Sequence, residues 1–298
     1  MKKRIACLGI LALMSALLVG EVGCLPTQAG QAPPEPPPLV FEQITPKIYL
    51  VTGGSGAHAG VYLASGETLV IDAKMSETTA KEMLEKIKNL STNPIGYVVL
   101  THSDGDHVNG LPAFPPGIKI VAHDKTRQDL EQAFQDEKLR ACLPQTTFSD
   151  KLELKLGGDT VQLVYFGPAH TSGDTIVYFP AEKVAFIGDL YFKGRDPLIH
   201  RHKNGNSFGL VNVLKAVLDL GAETFLSGHA DKATRADIEA FIQALEDKQT
   251  RIRGLIAEGK SLEDIKKIFS VVDRPAQPGR PRWLSLPEVI YLELTEKK

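Results

Sequence analysis

Hydrophobic and polar positions alternate in short runs along the chain, which predicts many short strands interrupted by amphipathic helices. In the first half, Ser76 can cap a helix, and an apolar run that ends just before Thr101 and His102 is typical of a buried strand. The strands predicted in this half are residues 48–52, 60–63, 68–71, 97–100 and 118–122, and the helices are residues 76–89 and 124–139.

The second half of the chain repeats this alternation of strands and helices. The pattern Thr234-x-x-Asp237 resembles a capping box and predicts the start of a long helix. The predicted strands are residues 152–156, 161–166, 175–179, 184–187 and 224–226, and the predicted helices are residues 210–220, 234–257 and a short one from Ser261. Strands followed by helices, twice over, predict two sheets packed face to face with helices outside.

The first 23 residues have the pattern of an export signal. Three basic residues at positions 2–4 precede an uncharged apolar run at 5–20, which is shorter than the roughly 20 residues of a membrane span. Cys24 follows in the position of a bacterial lipoprotein cleavage site, although Glu21 stands where such sites carry a small or aliphatic residue. Cleavage near residues 29–32 is the alternative. We therefore expect an exported protein, either periplasmic or anchored to a membrane by a lipid on Cys24.

The remaining chain divides into three segments by composition. Residues 24–38 are rich in proline and predict an extended tether that cannot pack a core. Residues 39–250 contain the strand and helix pattern and are interpreted as one domain. Residues 251–298 form a C-terminal extension with a short helix and a strand-like apolar run at 289–294. This extension could cover a groove or form a dimer contact, and the sequence leaves the oligomeric state open.

Composition narrows the class of protein. The chain is 43% hydrophobic and 23% charged, which excludes a collagenous, coiled-coil or fully disordered protein. Its 34 basic and 36 acidic residues give a net charge of −2, whereas a dedicated nucleic-acid binder usually has a basic surplus. We therefore expect a small-molecule substrate and no nucleic-acid partner.

The segment from Thr101 to Gly110 concentrates the side chains that could bind a metal. Four potential ligands lie within six residues of the loop that follows the strand at 97–100, and three more follow later predicted strands: His102, Asp104, Asp106, His107, His170, Asp189 and His229. Imidazole together with carboxylate suits zinc, iron or manganese, whereas calcium prefers oxygen ligands only. The sequence therefore predicts a transition-metal site at the ends of several strands.

This arrangement resembles the signature of the metallo-β-lactamase superfamily of metal-dependent hydrolases over roughly residues 40–250. The family pattern is His-x-His-x-Asp-His, followed by a distant His, a distant Asp or Cys, and a final His. Here Asp104 stands in the place of the second His. The resemblance implies an α+β fold, a four-layer αβ/βα sandwich with two pseudo-symmetric halves and the site along one edge.

The resemblance also implies a role for each candidate residue. Two divalent metal ions are implied, most simply zinc, although the Asp104 oxygen shifts the preference towards iron or manganese. Asp72 would close an early strand beneath the metals and fix imidazole tautomers. The first site would consist of His102, Asp104 and His170, the second of Asp106, His107 and His229, with Asp189 bridging the two.

The implied chemistry is hydrolysis by a metal-bound hydroxide, which would attack an ester, thioester, lactone or amide. Asp106 would be the catalytic residue that orients the nucleophile. Since Asp189 occupies the bridging position where some β-lactamases have Cys, the chain is more similar to the glyoxalase II, lactonase and general hydrolase branches. His58, Lys193 and His200 are candidates for substrate contacts.

Two alternatives to a hydrolase stay open. The first is a non-haem iron oxidoreductase of the dioxygenase or diiron type, because the flavo-diiron branch of the superfamily has a Glu in the position of Asp104. The other is a metal-binding scaffold with weakened catalysis, if Asp104 impairs the first site.

Overall fold

The computed structural model describes residues 35–273 and 282–296. The predicted signal at residues 1–23 and Cys24 lie outside the described residues, as do residues 25–34 of the tether and residues 274–281. Among the described residues, no helix is both long and apolar enough to cross a bilayer.

The first sheet has seven strands in sequential order. The first four strands run antiparallel to their neighbours, and the last four run parallel. The strands are β1 (Val40–Gln43), β2 (Ile48–Thr52), β3 (Ala59–Leu63), β4 (Thr68–Ile71), β5 (Ile95–Val99), β6 (Lys119–His123) and β7 (Thr146–Phe148).

Four helices connect the parallel strands of this sheet. They are α1 (Glu77–Leu90), α2 (Gly105–Val108), α3 (Asp124–Ala133) and α4 (Glu137–Arg140). The single helix predicted at 124–139 is therefore two helices. Helix α3 ends at Phe134, and the Asp136 side chain begins α4 by accepting the backbone N–H groups of Lys138 and Leu139.

The second sheet has six strands in the order β13-β12-β11-β10-β9-β8, in which only β11 and β12 are parallel among the described pairs. Its strands are β8 (Lys151–Leu156), β9 (Asp159–Val164), β10 (Ile176–Phe179), β11 (Val184–Phe186), β12 (Thr224–Leu226) and β13 (Ala233–Thr234). Its helices are α5 (Ser207–Asp219), α6 (Arg235–Ala257), α7 (Leu262–Ile268) and α8 (Leu286–Thr295).

Three apolar clusters define the layers of the fold. One lies between the two sheets and includes Leu50 of the first and Phe186 of the second, both fully buried. Another joins the first sheet to α1 through Met83. The third joins the second sheet to α5, α6 and α8 and includes the fully buried Leu214 of α5. The order helix, sheet, sheet, helix confirms the predicted four-layer αβ/βα sandwich.

The strand predicted at residues 289–294 is wrong, because these residues belong to α8. The Ser285 side chain and Glu288 form a capping box at its start, and Pro287 lies in its first turn. A continuous apolar run fits a buried helix as well as a strand, and these start signals distinguish the two. Val289 and Ile290 are fully buried against the core of the second sheet.

The C-terminal segment packs on the same core as the preceding domain. Helix α6 continues through residue 250 to Ala257, and both α7 and α8 contribute to the cluster around α5 and α6. The backbone N–H of Ser207 at the start of α5 donates to the Glu293 carboxylate of α8 at 2.9 Å. The segment therefore completes the helical layer over the second sheet.

Candidate metal centre

The site forms where strands of both sheets end. Because β4 is parallel to β5 and β11 is parallel to β12, the residues that follow each pair of strands lie together at one edge of their sheet. Backbone hydrogen bonds join the two sheets there: the Thr175 N–H donates to the Thr101 carbonyl at 2.7 Å, and the His58 N–H donates to the Gly228 carbonyl at 2.7 Å. These contacts fix the positions of the loops that carry the candidate ligands.

The structure brings together all seven residues that the sequence predicts as metal ligands. They fall into three groups in which the ligand atoms lie within 4.8 Å of one another: His102, His107 and Asp189; His102, Asp104 and His170; and Asp106, His107 and His229. The last two groups coincide with the two sites implied by the family resemblance.

Asp189 lies between these two sites. Its Oδ1 atom is 3.2 Å from Nε2 of His107, and its Oδ2 atom is 3.2 Å from Nε2 of His229. Oδ2 also faces the Nε2 atoms of His170 and His102, at 3.8 and 4.0 Å. This carboxylate therefore faces four imidazoles and is placed to bridge two cations. A side chain at Gly228 would collide with Asp189 and His107, so the glycine permits this close approach.

Asp72 orients two of the imidazoles from beneath. Its Oδ2 atom accepts a hydrogen bond from Nδ1 of His107 at 2.7 Å and another from the Thr101 hydroxyl at 2.8 Å. Since the Thr101 proton is used in that bond, its oxygen can accept from Nδ1 of His102, 3.0 Å away. Both imidazoles are thereby protonated on Nδ1 and present a free Nε2 to the centre.

A backbone carbonyl orients the third imidazole in the same way. Nδ1 of His170 donates to the Leu198 carbonyl at 2.7 Å, and a carbonyl can only accept. Nε2 of His170 therefore also points into the centre, where it lies 3.2 Å from Oδ2 of Asp104. Three of the four imidazoles are thus held through Nδ1 with Nε2 directed at the centre, where a bound cation would replace any proton on Nε2.

The charges in this cluster are strongly coupled. Burial opposes ionisation of Asp104, yet the neighbouring imidazoles of His102, His170 and His200 hold its pKa well below its usual value. Burial also lowers the pKa of His170 and His229, but hydrogen bonds to neighbouring carboxylates outweigh it and raise the pKa of each to about 9. Buried carboxylates that stay ionised require positive charge beside them.

The unpaired atoms of the cluster show that its residues fit metal ions. Nε2 of His102, Nε2 of His107 and Oδ1 of Asp189 are buried and have no hydrogen-bond partner among the described residues. Leaving such groups unpaired is costly, and imidazole nitrogen together with carboxylate oxygen is the donor set of divalent transition metals. The ligand groups therefore suit two divalent cations.

Two lysines beside the centre were missed by the sequence analysis. Lys74 is fully buried and its ammonium donates to the Ala57 carbonyl; burial lowers the pKa of Lys74 to about 8, against the opposing charges of Asp106 and Asp72. Lys203 donates to Oδ1 of Asp104 at 2.6 Å. Lysine side chains are usually exposed to solvent, so no pattern in the sequence indicated that Lys74 or Lys203 belongs to the site.

The comparison with known families agrees with this geometry. Residues 52–229 match the model of the metallo-β-lactamase superfamily. The chain belongs to this superfamily. Its members bind divalent metals and include hydrolases.

Three relatives within reach of sequence comparison match between half and four fifths of this chain. It is 22% identical to the alpha subunit of 2,4-dinitroanisole O-demethylase from Nocardioides sp. (strain JS1661), over 80% of this chain and 73% of that one. It is 29% identical to a type 2 metallo-β-lactamase from Elizabethkingia meningoseptica, over 54% and 66% of the two chains. An atrochrysone carboxyl ACP thioesterase from Claviceps purpurea (strain 20.1) is 25% identical, over 50% and 46%.

A solved structure shows the shared fold. The metallo-β-lactamase from Pontibacter korlensis superposes with a TM-score of 0.61 over 70% of this chain and 99% of that one, at 18% identity. At this identity the likeness concerns the superfamily fold alone.

The three candidate substrate contacts lie in different environments. His58 is half-buried, and its Nδ1 atom lies 3.2 Å from the Ser227 carbonyl, two residues before the candidate ligand His229. Lys193 is exposed and lies 3.9 Å from Asp231 rather than against any of the seven ligands. His200 is buried, and its Nε2 atom lies 2.7 Å from Oδ2 of Asp104. His200 therefore contacts a candidate ligand of the superfamily site.

Proposed function

We propose that this protein is a metal-dependent hydrolase that binds two divalent cations and cleaves an ester, thioester, lactone or amide bond. The observation that carries the proposal is the pair of ligand groups that share the Asp189 carboxylate, with imidazole Nε2 atoms turned towards them. The β-lactamase and thioesterase among the named relatives support attack on an acyl carbonyl.

The second ligand group is the side on which a substrate would approach. The side chains of His102 and His170 are 1% and 0% exposed, whereas those of His229 and Asp106 are 29% and 22% exposed. The ring of Phe192 stacks on His229 with a centroid separation of 5.8 Å and forms one wall beside it. A carbonyl group would therefore reach the centre next to Asp106 and His229.

The residues of this centre divide the catalytic work. When bound, two cations at these ligands would lower the pKa of a water molecule towards neutrality and polarise the substrate carbonyl. The Asp106 carboxylate borders the open side and would orient the attacking water and hold its proton. Asp72 and Thr101 keep the imidazoles in the tautomer that this arrangement requires.

Metal content and a substrate panel test this function together. We expect the purified protein to hold two equivalents of divalent metal, most simply zinc, and to hydrolyse a generic ester, thioester or lactone. Chelator-treated protein is the control and should lose the activity until metal is restored. An aryl methyl ether belongs in the panel, because one relative is named as an O-demethylase. Tightly held iron with redox activity would instead support the non-haem iron oxidoreductase. One metal equivalent without hydrolysis would support the metal-binding scaffold with weakened catalysis.

We also propose that the protein is exported and carries a lipid on Cys24. The support is the basic and apolar pattern of residues 1–23 and the position of Cys24 directly after it. Mass spectrometry of the mature N terminus checks this: an acylated Cys24 is expected, an unmodified N terminus near residues 29–32 would contradict the lipid but not the export, and an unprocessed Met1 would contradict both.

A further inference from the structure

The loop at residues 198–204 encloses the one candidate ligand that departs from the family pattern. Asp104 stands where that pattern has a histidine, and two side chains of this loop hold its carboxylate. The Lys203 ammonium donates to Oδ1 at 2.6 Å, and Nε2 of His200 lies 2.7 Å from Oδ2. The exchange of an imidazole for a carboxylate is therefore accompanied by a cation that contacts the carboxylate directly.

The loop is fastened to the loop that carries His170. The His200 N–H donates to the His170 carbonyl at 2.9 Å, and the Asn206 N–H donates to the Ala169 carbonyl at 2.8 Å. The Leu198 carbonyl accepts Nδ1 of His170. The same loop thus orients two of the three residues of the first ligand group. Lys203 closes a short helical turn that ends at Asn204.

The two oxygens of Asp104 have different surroundings. Oδ1 is taken by Lys203, which also donates to the Ser103 hydroxyl at 3.0 Å. Oδ2 faces the Nε2 atoms of His200, His170 and His102, at 2.7, 3.2 and 3.7 Å. The Asp104 carboxylate is therefore presented to a cation through a single oxygen, in the manner of the imidazole nitrogen that it replaces.

The Lys203 ammonium also balances the charge of Asp104. A carboxylate adds one negative charge relative to a neutral imidazole, and the Lys203 ammonium adds one positive charge next to it. The two side chains are only 19% and 13% exposed, so solvent screens this pair less than a surface pair. With Lys203 in place, the first ligand group has the net charge of a group with three imidazoles.

We propose that Lys203 is a positioning residue for the first cation site. Lys203 holds the Asp104 carboxylate through Oδ1 and compensates its negative charge, so that Oδ2 can bind the cation in place of an imidazole nitrogen. His200 supports the same carboxylate through Oδ2. The inference rests on the proposed metal-dependent function. It assigns a role to a lysine that lies 99 positions from its partner in the chain.

A double-mutant cycle tests this proposal. Zn²⁺ binding to the metal-free full chain is measured by competition with a chromophoric chelator for wild type, Lys203→Met, Asp104→His and the double variant. Lys203→Met should weaken binding of one Zn²⁺ equivalent about 10–100-fold, the range seen for residues that orient metal ligands. In the Asp104→His background, the same lysine substitution removes a repulsive cation and should leave Zn²⁺ binding unchanged or stronger. A difference of about tenfold or more between the two backgrounds supports the proposal, and a smaller one overturns it.

Three comparisons separate this role from a loss of folding or of metal binding in general. Lys215→Met is the matched control, because Lys215 is exposed and pairs with Glu246 on the outer helices; it should bind Zn²⁺ as wild type does. Lys203→Arg keeps the cation and should retain the affinity that Lys203→Gln loses, and equal losses in both would overturn the proposal. Thermal unfolding of the metal-free variants reports folding. A wild-type protein that binds none of Zn²⁺, Mn²⁺ and Fe²⁺ would reject the proposed function itself, whereas two bound equivalents with an additive cycle would reject only the role of Lys203.

Discussion

Replacing Asp106 with asparagine is expected to lower the turnover of a generic ester or lactone by about 10²–10⁴-fold, the range over which a positioned acid–base group contributes. Oδ2 of Asp106 lies 3.0 Å from Nε2 of His229 and 3.9 Å from Nε2 of His107. Asparagine has nearly the same shape but no negative charge, so the variant should also lose much of the metal at the second ligand group. Steady-state kinetics and elemental analysis measure the two effects.

The matched control for this substitution is Asp219→Asn. Asp219 is an exposed aspartate at the end of α5 and belongs to none of the three ligand groups. It should keep the metal content and rate of the wild type. Asp106→Asn protein with wild-type metal content and turnover would show that Asp106 neither binds the metal nor orients the attacking water.

The positions of the candidate ligands could be predicted because they follow strand ends. Parallel strands that neighbour one another bring their carboxyl ends to the same edge, and short loops leave few ways to arrange the next residues. Asp189 after β11 and His229 after β12 meet for this reason, and His102 after β5 joins them because the first sheet packs against the second. Sequence spacing therefore contains most of the information about which imidazoles and carboxylates converge.

The residues that support the ligands could not be predicted in the same way. Lys203 reaches Asp104 only because the backbone of its loop is fastened to the His170 loop. Lys74 is buried and donates to the Ala57 carbonyl of the loop between β2 and β3. Both contacts depend on tertiary placement of a side chain that sequence patterns assign to solvent. The strand predicted where α8 lies has a related cause. A continuous apolar run indicates that a segment is buried, but it does not distinguish a buried helix from a buried strand.

Asp72 has a backbone conformation that limits how its role can be tested. Its φ of 60° lies in the left-handed region, which asparagine tolerates better than alanine does. Its carboxylate accepts three hydrogen bonds: from the backbone N–H and hydroxyl of Thr101 and from Nδ1 of His107. Asparagine at this position keeps the backbone and the size of the side chain but offers one acceptor oxygen instead of two.

Asp72→Asn is therefore expected to weaken metal binding about 10–100-fold and to lower the free energy of unfolding by about 1–3 kcal/mol, since at least one buried donor loses its acceptor. Without the carboxylate, His107 can move its proton to Nε2, the atom that faces the centre, and this proton competes with the cation. Chelator competition measures the metal affinity, and urea unfolding with and without Zn²⁺ separates the loss of ligand stabilisation from the loss in the metal-free fold. Asp219→Asn should change neither quantity. If Asp72→Asn lost stability but bound Zn²⁺ as tightly as wild type, the carboxylate would support the fold without fixing the imidazoles for metal.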